Sequence, residues 1–332
     1  MHAIAQRIER IWYGGAPVPA LLSALVPLYR GLRALHLAPW RLGWRTPRAL
    51  GVPVIVVGNL TAGGSGKTPL VIALVEALRQ RGRRPGVVSR GHGGSERGPL
   101  LLDDLPDPRR VGDEPCLIRR RTAAPVAIGR DRARAAALLV ECGVDVVIAD
   151  DGLQNPALAR QIEICVIDGQ RRFGNGLLLP AGPLREPLAR LAQIPLRVCN
   201  GGAPQQGEVP MRLVGETAVA VGRAAATRPL SAFAGQSVHA VAAIGNPDRF
   251  FAGLRAHGIE VVPHAFRDHH AFSAADLAFS DGRPVLMTEK DAVKCTAFAT
   301  DAHWCVPVRA QVPPAFFERV ALALEQAGTR PH

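Results

Sequence analysis

The sequence predicts an α/β fold in which a mostly parallel sheet is covered by helices on both faces. Three observations predict it. Short apolar runs alternate with helical segments, most of these runs contain almost no polar residue, and a glycine-rich loop joins the first run to the first long helical segment. A strand buried on both faces has a continuous apolar run, whereas a half-exposed strand alternates. The 332 residues suffice for one large domain or about two ordinary ones.

Strands and helices alternate in two series, which predict two α/β domains. The first series has strands at 52–57, 86–89, 126–128, 144–149 and 162–167, and helices at 67–81 and 132–142. The second has strands at 238–244, 259–263, 285–288 and 305–308, and helices at 248–257 and 314–326. Between them, we expect 211–214 and 218–221 to pair as a hairpin-like connector. The predicted domains are 42–208 and, smaller, 229–332, with a β-stranded linker over 209–228.

The N-terminal segment, residues 1–41, contains an amphipathic helix. Leucines recur at helical spacing at positions 21, 25, 28, 32 and 35, while Arg30 and Arg33 lie off this stripe. We expect Pro27 to kink the helix or split it in two. The stripe either packs on the protein's own core or lies in the interface of an anionic membrane. We favour the membrane interpretation.

Composition favours an anionic partner. Forty Lys and Arg against 28 Asp and Glu give a net charge of +12. Aromatic residues make up only 5%, too few for a base-stacking surface, so nucleic acid is not expected as a partner. The six cysteines form no CxxC pair, which indicates neither a disulfide framework nor a metal cluster and favours a cytoplasmic location. Only three cations are lysines, namely Lys67, Lys290 and Lys294, a modest hint that an ammonium is needed there.

A phosphate-binding loop is predicted between the first strand and the first long helix. Its residues are Gly63, Gly64, Ser65, Gly66, Lys67 and Thr68. Glycines let successive backbone N–H groups converge on phosphate oxygens, and the helix N-terminus adds its positive dipole end. Lys67 would reach the β- and γ-phosphates, and the Thr68 hydroxyl would ligate Mg²⁺. The alternative is a flexible strand-to-helix turn. The loop predicts a P-loop NTPase-type sheet domain.

A second cluster of polar groups follows the apolar run 144–149. Asp150 and Asp151 end this predicted strand and would lie at the carboxyl edge of the sheet, beside the phosphate loop. An acid that organises Mg²⁺ belongs at this place. The alternative is a pair of turn-forming Asp residues before Gly152. Coupled to the phosphate loop, the metal interpretation is favoured.

An ordered series of motifs resembles one family, tetraacyldisaccharide 4'-kinase, the ATP-dependent lipid A precursor kinase of Gram-negative bacteria. The matching segments are VGNLTAGGSGKTP at 57–69, SRGHGG at 89–94, GDEP at 112–115, DDGLQ at 150–154, LLPAGPLREP at 178–187, IGNP at 244–247, DHH at 268–270 and MTEKDAVK at 287–294. The resemblance spans residues 10–310. This chain departs from the usual pattern at His92, Leu153 and Asn155.

The resemblance implies transfer of the ATP γ-phosphoryl group to the 4'-hydroxyl of a tetraacyl glucosamine disaccharide 1-phosphate, which forms lipid IVA. It also implies Mg²⁺, an anionic acylated lipid substrate, and a location on the cytoplasmic face of the inner membrane, peripheral or N-terminally anchored. Two α/β domains joined by a β-stranded linker are implied as well.

The resemblance also implies residue roles. Lys67 and Thr68 are the phosphate and Mg²⁺ residues, Asp150 and Asp151 organise the metal, Asp113 is the catalytic base supported by His269, and Arg185 and Glu186 line the site between the domains. From the residues alone, Asp113 would be a helix N-cap, the segment around His269 a solvated loop, and Arg185–Glu186 a surface ion pair. Either Arg130 or Arg132 binds phosphate.

Two other function classes compete with the kinase. A GTPase-type switch or metallochaperone would need a guanine-reading segment, and residues 288–291 are only superficially close, with Glu289 where Asn usually reads the base. A non-catalytic membrane scaffold is disfavoured because Lys67, Asp113 and Asp151 are all retained.

Overall fold

Two sheets with surrounding helices make up the described residues, 2–222 and 226–328, of the computed structural model. The helices are α1 (His2–Tyr13), α2 (Ala20–Arg41), α3 (Lys67–Gln80), α4 (Pro108–Val111), α5 (Asp113–Thr122), α6 (Arg132–Glu141), α7 (Pro247–Ala256), α8 (Glu289–Cys295) and α9 (Pro314–Gly328). The strands are β1 (Val54–Gly58), β2 (Pro85–Ser89), β3 (Leu100–Leu101), β4 (Val126–Ile128), β5 (Val146–Asp150), β6 (Ile162–Asp168), β7 (Leu196–Asn200), β8 (Glu208–Val214), β9 (Thr217–Ala220), β10 (Thr227–Pro229), β11 (Ser237–Ala242), β12 (Glu260–Ala265), β13 (Val285–Thr288), β14 (His303–Val306) and β15 (Arg309–Gln311).

The first sheet has nine strands in the order β15-β8-β7-β6-β1-β5-β2-β4-β3. Neighbours from β8 to β4 are parallel, and the edge strands β15 and β3 are antiparallel. Alternate residues of β1 enter different cores: Ile55 and Val57 pack with α3, whereas Val54 and Val56 lie in the cluster that includes α6. Both faces are therefore covered, which explains the continuous apolar runs.

The second sheet has six strands in the order β10-β9-β14-β13-β11-β12. The four strands from β14 to β12 are parallel, and β9 runs antiparallel to both β14 and β10. Ala240 and Leu286 face one core, and Val241 and Met287 face the other. The α/β fold predicted from the sequence is confirmed, with mixed, mainly parallel sheets.

The hairpin expected at 211–214 and 218–221 is wrong. Strand β8 pairs with β7 and β15 in the first sheet, whereas β9 pairs with β14 and β10 in the second. Two residues, Gly215 and Glu216, separate the strands. Each strand completes the hydrogen-bond ladder of a sheet that already offers an open edge, and these non-local partners outweigh the local one.

The chain returns to the first sheet near its end. Strand β15 pairs with β8, and α9 packs on the first core through Phe316, Val320 and Leu324 at intervals of four residues. The last described elements of the predicted second domain thus lie with the first sheet.

Helix α2 is continuous over its 22 residues, although Pro27 and Pro39 lie inside it, so the expected split at Pro27 does not occur. None of its residues is fully buried. Its five stripe leucines are 37–72% exposed, while Val26 and Tyr29 on another face pack against the core that includes α6, on the opposite side of the first sheet from α9. Among the described residues, no helix combines the length and apolar character needed to cross a bilayer.

Candidate active site

The glycine loop connects β1, near the middle of the first sheet, to the first turn of α3. Gly66 immediately precedes the helix with φ 92°, in the left-handed region. A Cβ there would lie 2.3 Å from Nδ2 of Asn200, which donates a hydrogen bond to the Ser65 carbonyl at 2.9 Å. The close approach therefore requires glycine. Because the loop ends at the N-terminus of α3, the N–H groups of the first helical turn lie where an anion bound by the loop would need them.

Lys67 lies among acceptors at the base of the loop. Its Nζ is 3.2 Å from Oδ1 of Asn59 and 3.5 Å from Oδ1 of Asp151, and its side chain is 11% exposed. The sequence analysis missed Asn59, which follows β1 inside the matched segment 57–69. The arrangement holds one compact cation beside the loop.

Asp151 is held by two cations. Arg185 donates to both carboxylate oxygens at 2.9 and 3.0 Å, and Lys67 is the second partner. Burial opposes ionisation of this carboxyl, but Lys67 and Arg185 outweigh it and lower its pKa. Asp151 has φ 50°, a strained conformation for a non-glycine residue. The sequence-based metal role of Asp151 stays a prediction, and its visible partners are cationic side chains.

Asp150 ends β5 and is paired in register with Val57 of β1. It is buried, and neither carboxylate oxygen has a hydrogen-bond partner. Burial and the nearby Glu114 raise its pKa to about 7. A buried carboxylate with both oxygens unpaired fits a cation that the site would receive. Within the described ranges, no three His, Cys, Asp or Glu side chains converge on a metal position, so hydroxyl, phosphate and water oxygens would complete the shell, as suits Mg²⁺.

Arg185 and Glu186 do not pair with each other. Glu186 forms an ion pair with Arg33 of α2 and accepts a hydrogen bond from Gln154 Nε2 at 3.2 Å. The same Gln154 nitrogen donates to the Asn59 carbonyl at 3.0 Å, and the Tyr29 hydroxyl donates to the Arg185 carbonyl at 2.9 Å. Helix α2 is thus linked through one loop to the residues around Lys67. Neither Gln154 nor Arg33 was assigned a role from sequence.

Asp113 and His269 are in contact, although 156 residues separate them. His269 Nδ1 lies 3.0 and 3.1 Å from the two carboxylate oxygens of Asp113, which is 4% exposed. Asp113 is the first residue of α5, and Gly112 occupies the N-cap position, so the capping alternative does not hold. His269 has φ 60°, and it and Asp151 are two of the four described non-glycine residues with positive φ, the others being Ala123 and Arg172 outside the site.

Two ammonium groups face Asp113 from α8. Lys290 Nζ lies 3.9 Å and Lys294 Nζ 3.7 Å from Oδ2. Burial raises the pKa of Asp113, but the His269 hydrogen bond and the two lysines outweigh it and lower the pKa to about 2. Burial lowers the pKa of His269, whereas the Asp113 hydrogen bond raises it, and the net direction is upward. The sequence feature that pointed to Lys290 and Lys294 is their rarity, since they are two of only three lysines in a chain with 37 arginines.

The segment between β11 and α7 lies directly against the phosphate loop. A Cβ on Gly245 would lie 2.3 Å from the backbone nitrogen of Gly64. Arg171 donates to the Gly245 carbonyl at 2.7 Å, and Arg249 of α7 donates to Oδ1 of Asp168, at the end of β6, at 2.9 Å. The two sheets therefore meet at the loop.

The remaining sequence candidates lie nearby. Arg132 is buried, with Nη1 3.4 Å from the carbonyls of Asp150 and Asp151, whereas Arg130 is exposed. His92 packs edge-on against the His269 ring, with centroids 4.8 Å apart. Leu153 is buried and Asn155 half-buried. The choice between Arg130 and Arg132 as the phosphate ligand stays open.

A glycine loop at the carboxyl end of a parallel strand, with carboxylates ending the neighbouring strand, defines an α/β protein of the phosphate-loop class. The family model for tetraacyldisaccharide-1-P 4'-kinase matches residues 18–325, and the chain belongs to that family. The match does not support a GTPase-type switch or metallochaperone.

Relatives named tetraacyldisaccharide 4'-kinase match nearly end to end. The one from Stenotrophomonas maltophilia is 52% identical over 318 residues, covering 92% of this chain and 93% of its own. The one from Xanthomonas euvesicatoria pv. vesicatoria is 50% identical over 337 residues, covering 98% and 97%. The crystal structure of Aquifex aeolicus LpxK in complex with ATP has a TM-score of 0.74 at 26% identity, covering 92% of this chain and 98% of that one.

Proposed function

We propose that the protein is an ATP-dependent lipid kinase that transfers the γ-phosphoryl group of ATP to the 4'-hydroxyl of a tetraacyl glucosamine disaccharide 1-phosphate, forming lipid IVA. The observation that carries the proposal is the family match along residues 18–325. The site geometry supports it, because a phosphate loop can hold the phosphates of ATP and a histidine–carboxylate pair can orient an acceptor hydroxyl and accept its proton.

The phosphate chain of ATP binds the N–H groups of residues 63–68, and Lys67 offsets charge on the β- and γ-phosphates. Asp150 and the Thr68 hydroxyl would hold Mg²⁺, and Asp151 organises the site through Lys67 and Arg185. The unpaired oxygens of Asp150 support this assignment. Mg²⁺ supplies neutralisation of the charge that develops on the phosphoryl oxygens.

Asp113 accepts a hydrogen bond from the 4'-hydroxyl and aims it at the γ-phosphorus. The bond from the 4'-oxygen to phosphorus forms, the bond to the β–γ bridging oxygen breaks, and ADP leaves. The hydroxyl proton passes to Asp113 and then to solvent. Because the pKa of Asp113 is about 2, it is a weak base. It acts mainly by orientation, which suffices for a loose transition state with late proton transfer.

The exposed leucines of α2 dock peripherally on an anionic membrane, at the cytoplasmic face of the inner membrane, where the acylated substrate lies. The leucines face outward, and Arg33 ties the same helix to Glu186. The net charge of +12 favours an acidic surface. No nucleic-acid partner is proposed.

The chain is divided into an N-terminal amphipathic segment (1–41), a P-loop NTPase-type domain (42–208), a β-stranded linker (209–228) and a second α/β domain (229–332). One boundary of this division changes. Strand β15 and helix α9 pack with the first sheet, so we assign them structurally to the first domain.

The test is incubation with ATP, MgCl₂ and the tetraacyl disaccharide 1-phosphate in detergent micelles, followed by mass spectrometry of the lipid. The expected product carries one additional phosphate. Parallel reactions use GTP in place of ATP and Lys67→Ala in place of the native chain. Nucleotide hydrolysis without a bis-phosphorylated lipid, or a preference for GTP, would contradict the proposal.

A further inference from the structure

Asp291 of α8 is a fully buried carboxylate that the phosphoryl-transfer scheme does not use. Its Oδ2 accepts hydrogen bonds from the backbone N–H of Ala243 at 2.9 Å and from the Thr288 hydroxyl at 2.6 Å. Its Oδ1 lies 2.8 Å from Nζ of Lys294. Because desolvation offsets most of the attraction in a buried ion pair, a gain in net stability does not account for such a group. The groups that Asp291 holds therefore indicate its role.

One of these partners, Ala243, leads directly to the phosphate loop. Strand β11 ends one residue earlier, so the Ala243 N–H lies beyond the strand and donates to Asp291. Two residues later, Gly245 lies against Gly64, where a Cβ on Gly245 would be 2.3 Å from the Gly64 nitrogen. This nitrogen belongs to the loop whose N–H groups are expected to bind phosphate. Asp291 thus fixes the chain two residues before its contact with the loop.

The segment 243–245 is held from both sheets. Arg171, which follows β6 of the first sheet, donates to the Gly245 carbonyl at 2.7 Å. Asp291 follows β13 of the second sheet and accepts from Ala243. Removing the Asp291 carboxylate would leave the segment with its anchor on the first sheet but without its anchor on α8. The segment could then shift relative to the phosphate loop.

We propose that Asp291 is a positioning residue for nucleotide binding: by holding Ala243 it keeps Gly245 against Gly64, and so keeps the phosphate loop in the conformation that receives the phosphates of ATP. This role rests on the proposed kinase function. It also gives the segment 288–291 a use other than the guanine reading that it superficially resembles, because the Asp291 carboxylate is buried and occupied by protein donors.

Three variants separate the anchor from the charge and from stability. Asp291→Ala removes the acceptor for Ala243. Asp291→Asn removes the charge but keeps an oxygen that can face Ala243, with its NH₂ toward Lys294, a flexible side chain that can move aside. Thr288→Val is the matched control, because it removes the other hydrogen bond to the same Oδ2 and leaves the Ala243 N–H in place.

The experiment is calorimetry of the full chain with Mg²⁺ and AMP-PNP, a non-hydrolysable analogue of ATP. In Asp291→Ala, the Kd should rise roughly tenfold. In Asp291→Asn and Thr288→Val, it should stay near the native value. In steady-state kinetics, the KM for ATP should rise in Asp291→Ala while the KM for the lipid acceptor is unchanged. A merely structural role would reduce the folded fraction, and with it the binding stoichiometry and kcat, without changing the Kd or either KM.

Hydrogen exchange of the native chain provides a test that needs no variant. Because coupling between two sites is reciprocal, bound AMP-PNP should stabilise the bond from Ala243 to Asp291. Exchange of the Ala243 amide should therefore slow more than that of the His239 amide, which lies earlier in β11 and donates to the Pro284 carbonyl. An equal change at the two amides would overturn the proposal whether or not any variant folds.

A native Kd in Asp291→Ala, or an equal rise of the Kd in Asp291→Asn or Thr288→Val, would overturn the proposal too. If the native chain did not bind AMP-PNP, this proposal and the kinase assignment would both be wrong. Binding of AMP-PNP without phosphorylation of the lipid would contradict the kinase assignment alone, so the two failures are distinguishable.

Discussion

At the residue scale, the three lysines of the chain lie at its two acidic centres. Lys67 pairs with Asp151, and Lys290 and Lys294 pair with Asp113. Arginine serves for the other 37 basic residues, including Arg33 and Arg185 in the same site. A compact ammonium fits where several oxygens converge, whereas a guanidinium suits a planar carboxylate pair such as Arg185–Asp151.

Lys67→Ala removes the only ammonium at the phosphate loop among the described residues. We expect kcat to fall roughly 10²-fold or more, since charge on the transferring phosphoryl group loses its partner. The fold should persist, because Lys67 faces the loop rather than the core. Initial rates with saturating ATP measure the loss, and thermal unfolding provides the control. Turnover near the native value would contradict the phosphate-loop role.

Asp113→Ala and His269→Ala should each lower kcat strongly and leave ATP affinity nearly unchanged, because the partners of these side chains are each other and the lysines of α8 rather than described residues of the phosphate loop. Their effects should be far less than multiplicative in the double variant, since the contact at 3.0 Å makes them one unit. The measurement is a double-mutant cycle on kcat, with nucleotide binding by calorimetry. Strictly multiplicative losses, or ATP binding that collapses in Asp113→Ala, would indicate independent or structural roles.

At the element scale, elements encoded by one continuous stretch of sequence could be predicted. Which strands pair with each other could not. Strand β1, the glycine loop and α3 follow one another directly, so apolar run, loop and helix pattern identify them. Strand β7 was missed because Arg197 interrupts a five-residue run, and α5 was missed because Pro115 and three arginines obscure its periodicity. Helix α8 is only seven residues long and follows β13 without a break. Its lysines therefore had no predicted location.

The same limit applies to the site. Asp150 and Asp151 could be placed beside the phosphate loop because carboxyl ends of parallel strands share one edge. The contact of Asp113 with His269 depends on how two sheets meet, which no local pattern encodes. The family resemblance supplied that pair, and the structure brings its two members together.

Helix α2 allows a test of membrane docking without disturbing the site. Changing Leu21, Leu28, Leu32 and Leu35 to Ser removes apolar side chains that are 58–72% exposed. The contacts of Tyr29 with Arg185 and of Arg33 with Glu186 are not changed. We expect the variant to lose most of its binding to anionic vesicles, because burial of each leucine contributes about 1.5–3 kcal/mol. Vesicle co-sedimentation at low and high salt measures it.

Leu322→Ser on α9 is the matched control, since Leu322 is 56% exposed but lies outside the stripe. It should bind vesicles like the native chain. Native binding by the α2 variant would show that another surface docks on the membrane.

At the scale of the whole molecule, the two sheets come into close backbone contact at the phosphate loop. Gly245 follows β11 and lies against Gly64, and Arg171 and Arg249 bind across the same junction. The Asp113–His269 contact crosses between the sheets as well. The distance between the sheets therefore fixes both the position of the phosphate loop and the contact of Asp113 with His269. A small displacement of one sheet should thus lower the rate of phosphoryl transfer more than the stability of the fold.

Gly245→Ala tests this dependence. Its Cβ would lie 2.3 Å from the nitrogen and 3.0 Å from the Cα of Gly64, so the segment after β11 must withdraw from the loop. We expect kcat/KM for ATP to fall roughly 10–100-fold, because displacement by a fraction of an ångström misaligns groups that must act together. Gly253→Ala on α7 is the control: a Cβ there meets nothing within 4 Å, and alanine should stabilise the helix by about 0.5–1 kcal/mol. Steady-state kinetics and thermal unfolding of both variants measure the effects. If Gly245→Ala kept native kinetics while folding normally, the contact would not set the geometry of transfer, and the sheets would tolerate separation.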